Sequence, residues 1–180
     1  MTRQENFFKL YGSAAMYSTL FSSLYPSVMI AQAALESNYG NSKLTSLHNN
    51  FFGIKGDFKG ESIQMATWEF FGENVTIVDG FKSYPTPIQG FIDRNKFLKV
   101  NPRYTKNGVF DASSAEEQTQ ALKNAGYATD PDYVSKIISI INKYNLKRFD
   151  RRKKIIEIVL IIVLIITTYF SVNFLLKLKK

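Results

Sequence analysis

The sequence predicts an α+β fold, mainly α: a two-lobed domain with a small antiparallel β-hairpin as one lobe, plus one C-terminal transmembrane helix. Three observations predict it. Apolar residues recur at helical spacing over most of 13–145, the period drops to two between Ser62 and Tyr84, and 155–176 is an almost uncharged apolar run. The 180 residues suffice for one domain and an appendage, not for two full domains.

In chain order, Ala15, Leu20, Phe21 and Leu24 share one face of an expected first helix from Ser13 to Leu24. Pro26 suits the first turn of a second helix from Ser27 to Asn38, which Gly40 stops. Asn41 to Asn50 reads as a short third helix, and the glycines of Phe51-Phe52-Gly53-Ile54-Lys55-Gly56 as those of a turn. Alternating Ile63, Met65, Thr67 and Glu69 against Gln64, Ala66, Trp68 and Phe70 gives a strand. The β-branched run 75–78 returns after a Gly72-Glu73-Asn74 loop. Thr86-Pro87 opens another helix, Ser113 with Glu116 suggests a capping box, and Asp130-Pro131 precedes a last helix striped by Val134, Ile137, Ile138 and Ile141.

The formal charge is +8, but residues 1–150 carry 16 basic and 14 acidic side chains, a net of +2. The remaining +6 lies in 151–180, so the domain lacks the electrostatic footprint of a nucleic-acid binder. The 22 residues 155–176 contain one charge, Glu157, and as a helix span roughly 33 Å against a hydrocarbon core of about 30 Å. Basic residues flank both ends. The expected divisions are a domain at 1–146, a basic juxtamembrane linker at 147–154, the span at 155–176 and a basic tail at 177–180. The first residues lack the apolar core of a secretory signal.

With no Cys and a single His, His48, disulfide scaffolds, thiol nucleophiles and multi-histidine metal sites are excluded. Carboxylates, hydroxyls and aromatic rings remain for chemistry. Glu36 closes a strongly apolar helix, where the helix dipole disfavours negative charge and apolar walls would raise its pKa. From spacing alone, a proton donor and a solvated glutamate are both open readings.

The blocks AQAALESNYG, NNFFGIKG, TWEF, FKSY and AGYATDPDY, in this order over roughly residues 5–145, strongly resemble glycoside hydrolase family 73, the N-acetylglucosaminidases of cell-wall autolysins and flagellar wall-piercing enzymes. The resemblance implies a lysozyme-like fold in which Glu36 is the general acid. It implies a second carboxylate, Glu69, in the β-lobe, with Glu61 and Glu73 as local rivals. It also implies an active-site tyrosine at Tyr127, with Tyr133 as its competitor. Trp68, Phe70, Tyr39, Phe52 and Tyr133 are candidate sugar-binding rings, because apolar sugar faces stack on flat aromatics.

The function expected is hydrolysis of the β-1,4 bond after N-acetylglucosamine in peptidoglycan, with no metal or organic cofactor. A lytic transglycosylase and a non-catalytic wall-binding module are the alternatives. The expected partners are the glycan strand and a lipid bilayer, not nucleic acid. Six basic residues before the span and three after it place the domain on the cytoplasmic side, whereas its substrate lies outside. A phage lysis or virion enzyme would reconcile the two.

Overall fold

The computed structural model describes residues 1–70 and 74–178, and the side chains of all of these except 67–70 and 74–76. Its elements run α1 (Arg3–Ser18), α2 (Pro26–Glu36), α3 (Lys43–His48), β1 (Ser62–Phe70), β2 (Asn74–Lys82), α4 (Pro87–Val100), α5 (Pro102–Lys106), α6 (Ala115–Asn124), α7 (Tyr133–Lys143) and α8 (Lys147–Leu178). The hairpin inserted among helices is thus present as expected. Its loop residues Gly72 and Glu73 lie outside the described residues.

The domain is built around α2. Its sequence PSVMIAQAALE is apolar on every side, as a helix enclosed by others must be. Val28, Met29, Ile30, Ala31, Ala33 and Ala34 are all fully buried, against α1, α6, α7 and α8. Each large apolar side chain so enclosed contributes about 1.5–3 kcal/mol. Pro26 occupies the first turn, where its missing N–H costs nothing. Asp150 of α8 accepts the Ser27 N–H at 2.9 Å, so a carboxylate from the far end of the chain caps the positive end of the central helix.

Several boundaries differ from the sequence reading. α1 begins ten residues earlier than Ser13, because Thr2 and Glu5 form a reciprocal capping box. It ends at Ser18, so Phe21 does not join a buried helical face; it sits in a turn at φ 55°, 65% exposed. α6 is capped one position later than expected. The Ser114 hydroxyl accepts from the Glu117 N–H, and the Glu117 carboxylate accepts from Ser113. Glu116 instead pairs with Lys147 at 2.6 Å. The stretch 147–154, read as a juxtamembrane linker, is helical. It forms the first turns of α8, with Phe149 and Lys153 buried against the domain.

β1 and β2 pair antiparallel from Ser62 opposite Lys82 to Phe70 opposite Asn74. The turn at 54–56 attaches to the free edge of β2: Lys82 N–H donates to the Ile54 carbonyl and Gly56 N–H to the Gly80 carbonyl. Asn50 fixes that turn from beneath. Its amide accepts from Ile54 N–H and donates to the Ile54 and Lys82 carbonyls, all at 2.9–3.0 Å. His48 is a packing residue, its ring nitrogen 3.0 Å from the Ser83 hydroxyl.

Gly90 lets α4 lie directly on this loop, since a Cβ there would overlap the Asn49 carbonyl oxygen. Gly90→Ala therefore destabilises the domain by about 1–3 kcal/mol. Thermal unfolding of the two chains checks this, and an unchanged midpoint would contradict the close approach.

Candidate active site

α2 runs through the core and delivers Glu36, its last residue, to the mouth of a cleft of about 450 Å³. The loop after α3 supplies Phe52, α4 supplies Arg94 and Phe97, and Tyr104 and Tyr127 complete the floor. This volume suits a sugar unit or a small ligand. On the other side of Glu36 and Tyr127 lies a second depression of about 400 Å³, walled by Thr129 and Tyr133. Glu36 thus stands between two hollows, where a strand occupying both would have its junction.

The carboxyl of Glu36 opens to solvent at this mouth, yet the surrounding protein strips enough water to raise its pKa. Desolvation is the whole cause: no basic group pairs with Glu36 among the described residues. A carboxyl held in this way keeps its proton to higher pH and can donate it.

Beneath it lies a buried polar chain that the sequence reading did not single out. Arg94, 1% exposed, donates to the Gln32 side-chain carbonyl and, at 3.3 Å, to Asn95. Gln32 in turn donates to the Tyr133 hydroxyl. The guanidinium lies 5.7 Å from the Phe52 ring centre and 6.0 Å from that of Tyr127. Burial lowers the Arg94 pKa, and the facing tyrosines oppose the shift. Burial pushes the Tyr127 hydroxyl up to about 12, with the charges of Glu36 and Tyr104 adding to the rise and Arg94 opposing it. Tyr127 therefore keeps its proton at neutral pH and can donate a hydrogen bond. Phe91, Arg94 and Leu98 share the buried face of α4; a charge at a position the period reserves for the core was the available signal.

The structure brings Glu36, Tyr127 and Phe52 together at the main cleft and Tyr133 to the adjoining hollow. Tyr39 is not there. It lies within about 6 Å of Phe7, Phe8 and Tyr144 and lines a separate depression, because the left-handed turn at 38–40 carries its ring back onto α1. The side chains of Glu69, Trp68 and Phe70 lie outside the described residues, as does Glu73. Glu61 is exposed at the start of the hairpin.

A helix-borne acid above a sugar-sized cleft is the arrangement that glycoside hydrolysis calls for. The family model described as mannosyl-glycoprotein endo-beta-N-acetylglucosaminidase matches residues 14–146. The chain belongs to this glucosaminidase family. The exo-glucosaminidase LytG of Bacillus subtilis is 40% identical over 129 residues, covering 69% of this chain and 46% of that protein. A probable N-acetylmuramidase of Lactococcus lactis is 43% identical over 134 residues, covering 71% of this chain and 30% of that protein. The chain thus spans less than half the length of either curated relative. Among solved structures, the catalytic domain of the autolysin Auto from Listeria monocytogenes superposes with a TM-score of 0.76 at 38% identity, covering 83% of this chain and 88% of that one.

Proposed function

We propose that this chain hydrolyses the β-1,4 bond after N-acetylglucosamine in bacterial cell-wall glycan, in a lysozyme-like arrangement with the hairpin as the second lobe. The observation carrying this reading is Glu36, a desolvated carboxyl between two hollows with no basic partner among the described residues. Glu36 protonates the glycosidic oxygen as the bond breaks, and water completes the reaction at the anomeric carbon. Tyr127 donates a hydrogen bond to the substrate's N-acetyl group. Glu69, on β1, either activates the water or stabilises positive charge while the acetamido group attacks first. α8 anchors the domain to a membrane, its basic first turns meeting lipid head groups. The named relatives are bacterial, so a phage setting draws no support from them.

The experiment is product analysis on purified wall. New reducing ends on N-acetylglucosamine are expected. Reducing ends on N-acetylmuramic acid would redirect the reading to the muramidase specificity in the Lactococcus protein's name. Anhydro products would make the chain a transglycosylase, and no release at all a wall-binding module. The anomer first formed distinguishes the water routes: inversion favours direct attack, retention the acetamido route.

A further inference from the structure

α8 leaves the domain without a break, and the last place it touches is well defined. The segment between α1 and α2 runs along it in register. Asp150 accepts from Ser27 N–H at 2.9 Å, Lys153 donates to the Leu24 carbonyl at 3.0 Å and to that of Ser22, and Glu157 accepts from Phe21 N–H at 2.6 Å. Glu157 also lies 3.8 Å from the Lys153 ammonium. Beyond it, Ile158 to Leu176 is uncharged and almost wholly exposed. Those 19 residues form roughly 28 Å of helix, close to the ~30 Å hydrocarbon thickness.

No residues remain to hold the domain away from the bilayer. Whatever lies level with Glu157 lies at the boundary between head groups and hydrocarbon. Phe21 is there, its backbone bound to that carboxylate, its ring 65% exposed and its φ of 55° unusual for a bulky residue. Tyr17, 51% exposed, is one turn away at the end of α1. On the domain side, Arg151, Arg152 and Lys154 are exposed one to two turns of α8 below Glu157, at the depth of lipid phosphates. The aromatics therefore take the level where Trp and Tyr rings concentrate in membrane proteins, and the cations the level of anionic head groups.

We propose that the turn at 19–24 is a second membrane-contact element, with the Phe21 ring inserted into the interfacial region of an anionic bilayer beside the span. The inference rests on α8 crossing the membrane. The chain contains no Cys, so single-cysteine labelling tests both. Phe21→Cys, Ile162→Cys and, as a water-exposed reference, Ser46→Cys are each labelled with an environment-sensitive dye. The full chains are reconstituted in phosphatidylcholine–phosphatidylglycerol vesicles carrying spin-labelled lipid quenchers at shallow or deep acyl positions.

The dye at 162 should be quenched most by the deep label. The dye at 21 should shift to the blue and lose fluorescence mainly to the shallow label, while the dye at 46 responds to neither. A quenched 162 with an unquenched, water-like 21 would overturn the inserted turn and leave the span standing. An unquenched 162 would overturn the span, and the inserted turn with it.

Discussion

Replacing Glu36 by Gln lowers hydrolysis of cell-wall glycan by about 10²–10⁴-fold, the usual worth of a positioned general acid. Rates of reducing-end release by purified chains measure it. The fold does not suffer, because Glu36 makes no hydrogen bond or ion pair with the described residues. Burial lifts its folded-state pKa above the ordinary carboxylate value of 4.5, so the ionised form opposes folding. That cost is absent below the unfolded value, sets in as pH rises through it, and is complete above the folded value. Near neutral pH the Gln variant is consequently at least as heat-stable as the parent, an inactive chain without structural loss. In the parent, activity falls as pH rises through the elevated pKa. A wild-type rate in the variant, or a basic limb at the ordinary carboxylate value, would contradict the assignment.

Gln32→Leu produces the largest stability change. Gln32 is fully buried and is the side chain through which the Arg94 cation and the Tyr133 hydroxyl meet. An apolar replacement of similar size fills the space but withdraws the acceptor from a guanidinium that cannot shed its proton. Leaving a buried charged donor short of an acceptor costs about 1–3 kcal/mol or more, read from urea titration of the detergent-solubilised chain. Gln32→Glu retains an acceptor and loses less. Activity falls together with stability in the Gln32→Leu chain, because Gln32 holds Arg94, whose guanidinium packs against the Phe52 and Tyr127 rings of the cleft. Parent-like stability after Gln32→Leu would show that the polar chain does not hold the cleft floor.

What the sequence made legible follows the strength of each local signal. α2 could be read from Pro26 and an apolar run without a polar face, and that placed Glu36 at a helix end. The hairpin could be read from strict alternation, and Tyr127 from a block resemblance. The start of α1 was missed because Met1 to Lys9 reads as polar and mixed in charge, although Thr2 and Glu5 spelled its cap and Phe7 and Phe8 its buried face. Arg94, Gln32 and Asn50 were missed for a different reason. Periodicity sorts residues into apolar and polar, and these three are polar groups whose partners are distant in sequence. The basic run before the span reads from its charge as a juxtamembrane linker; Phe149 and Lys153, four apart and both buried, are what dock its helical turns on the domain.

That docking has a consequence for reach. An enzyme on a flexible leash samples a shell of positions around its anchor, whereas α8 gives this domain a rigid mount. Glu36 stands at the end of α2 opposite the mount, about 15 Å along the helix from Pro26. With α8 seated in a bilayer and the proposed activity at Glu36, the fold would set the height at which a glycan strand is cut, confining it to the stratum of wall nearest the lipid.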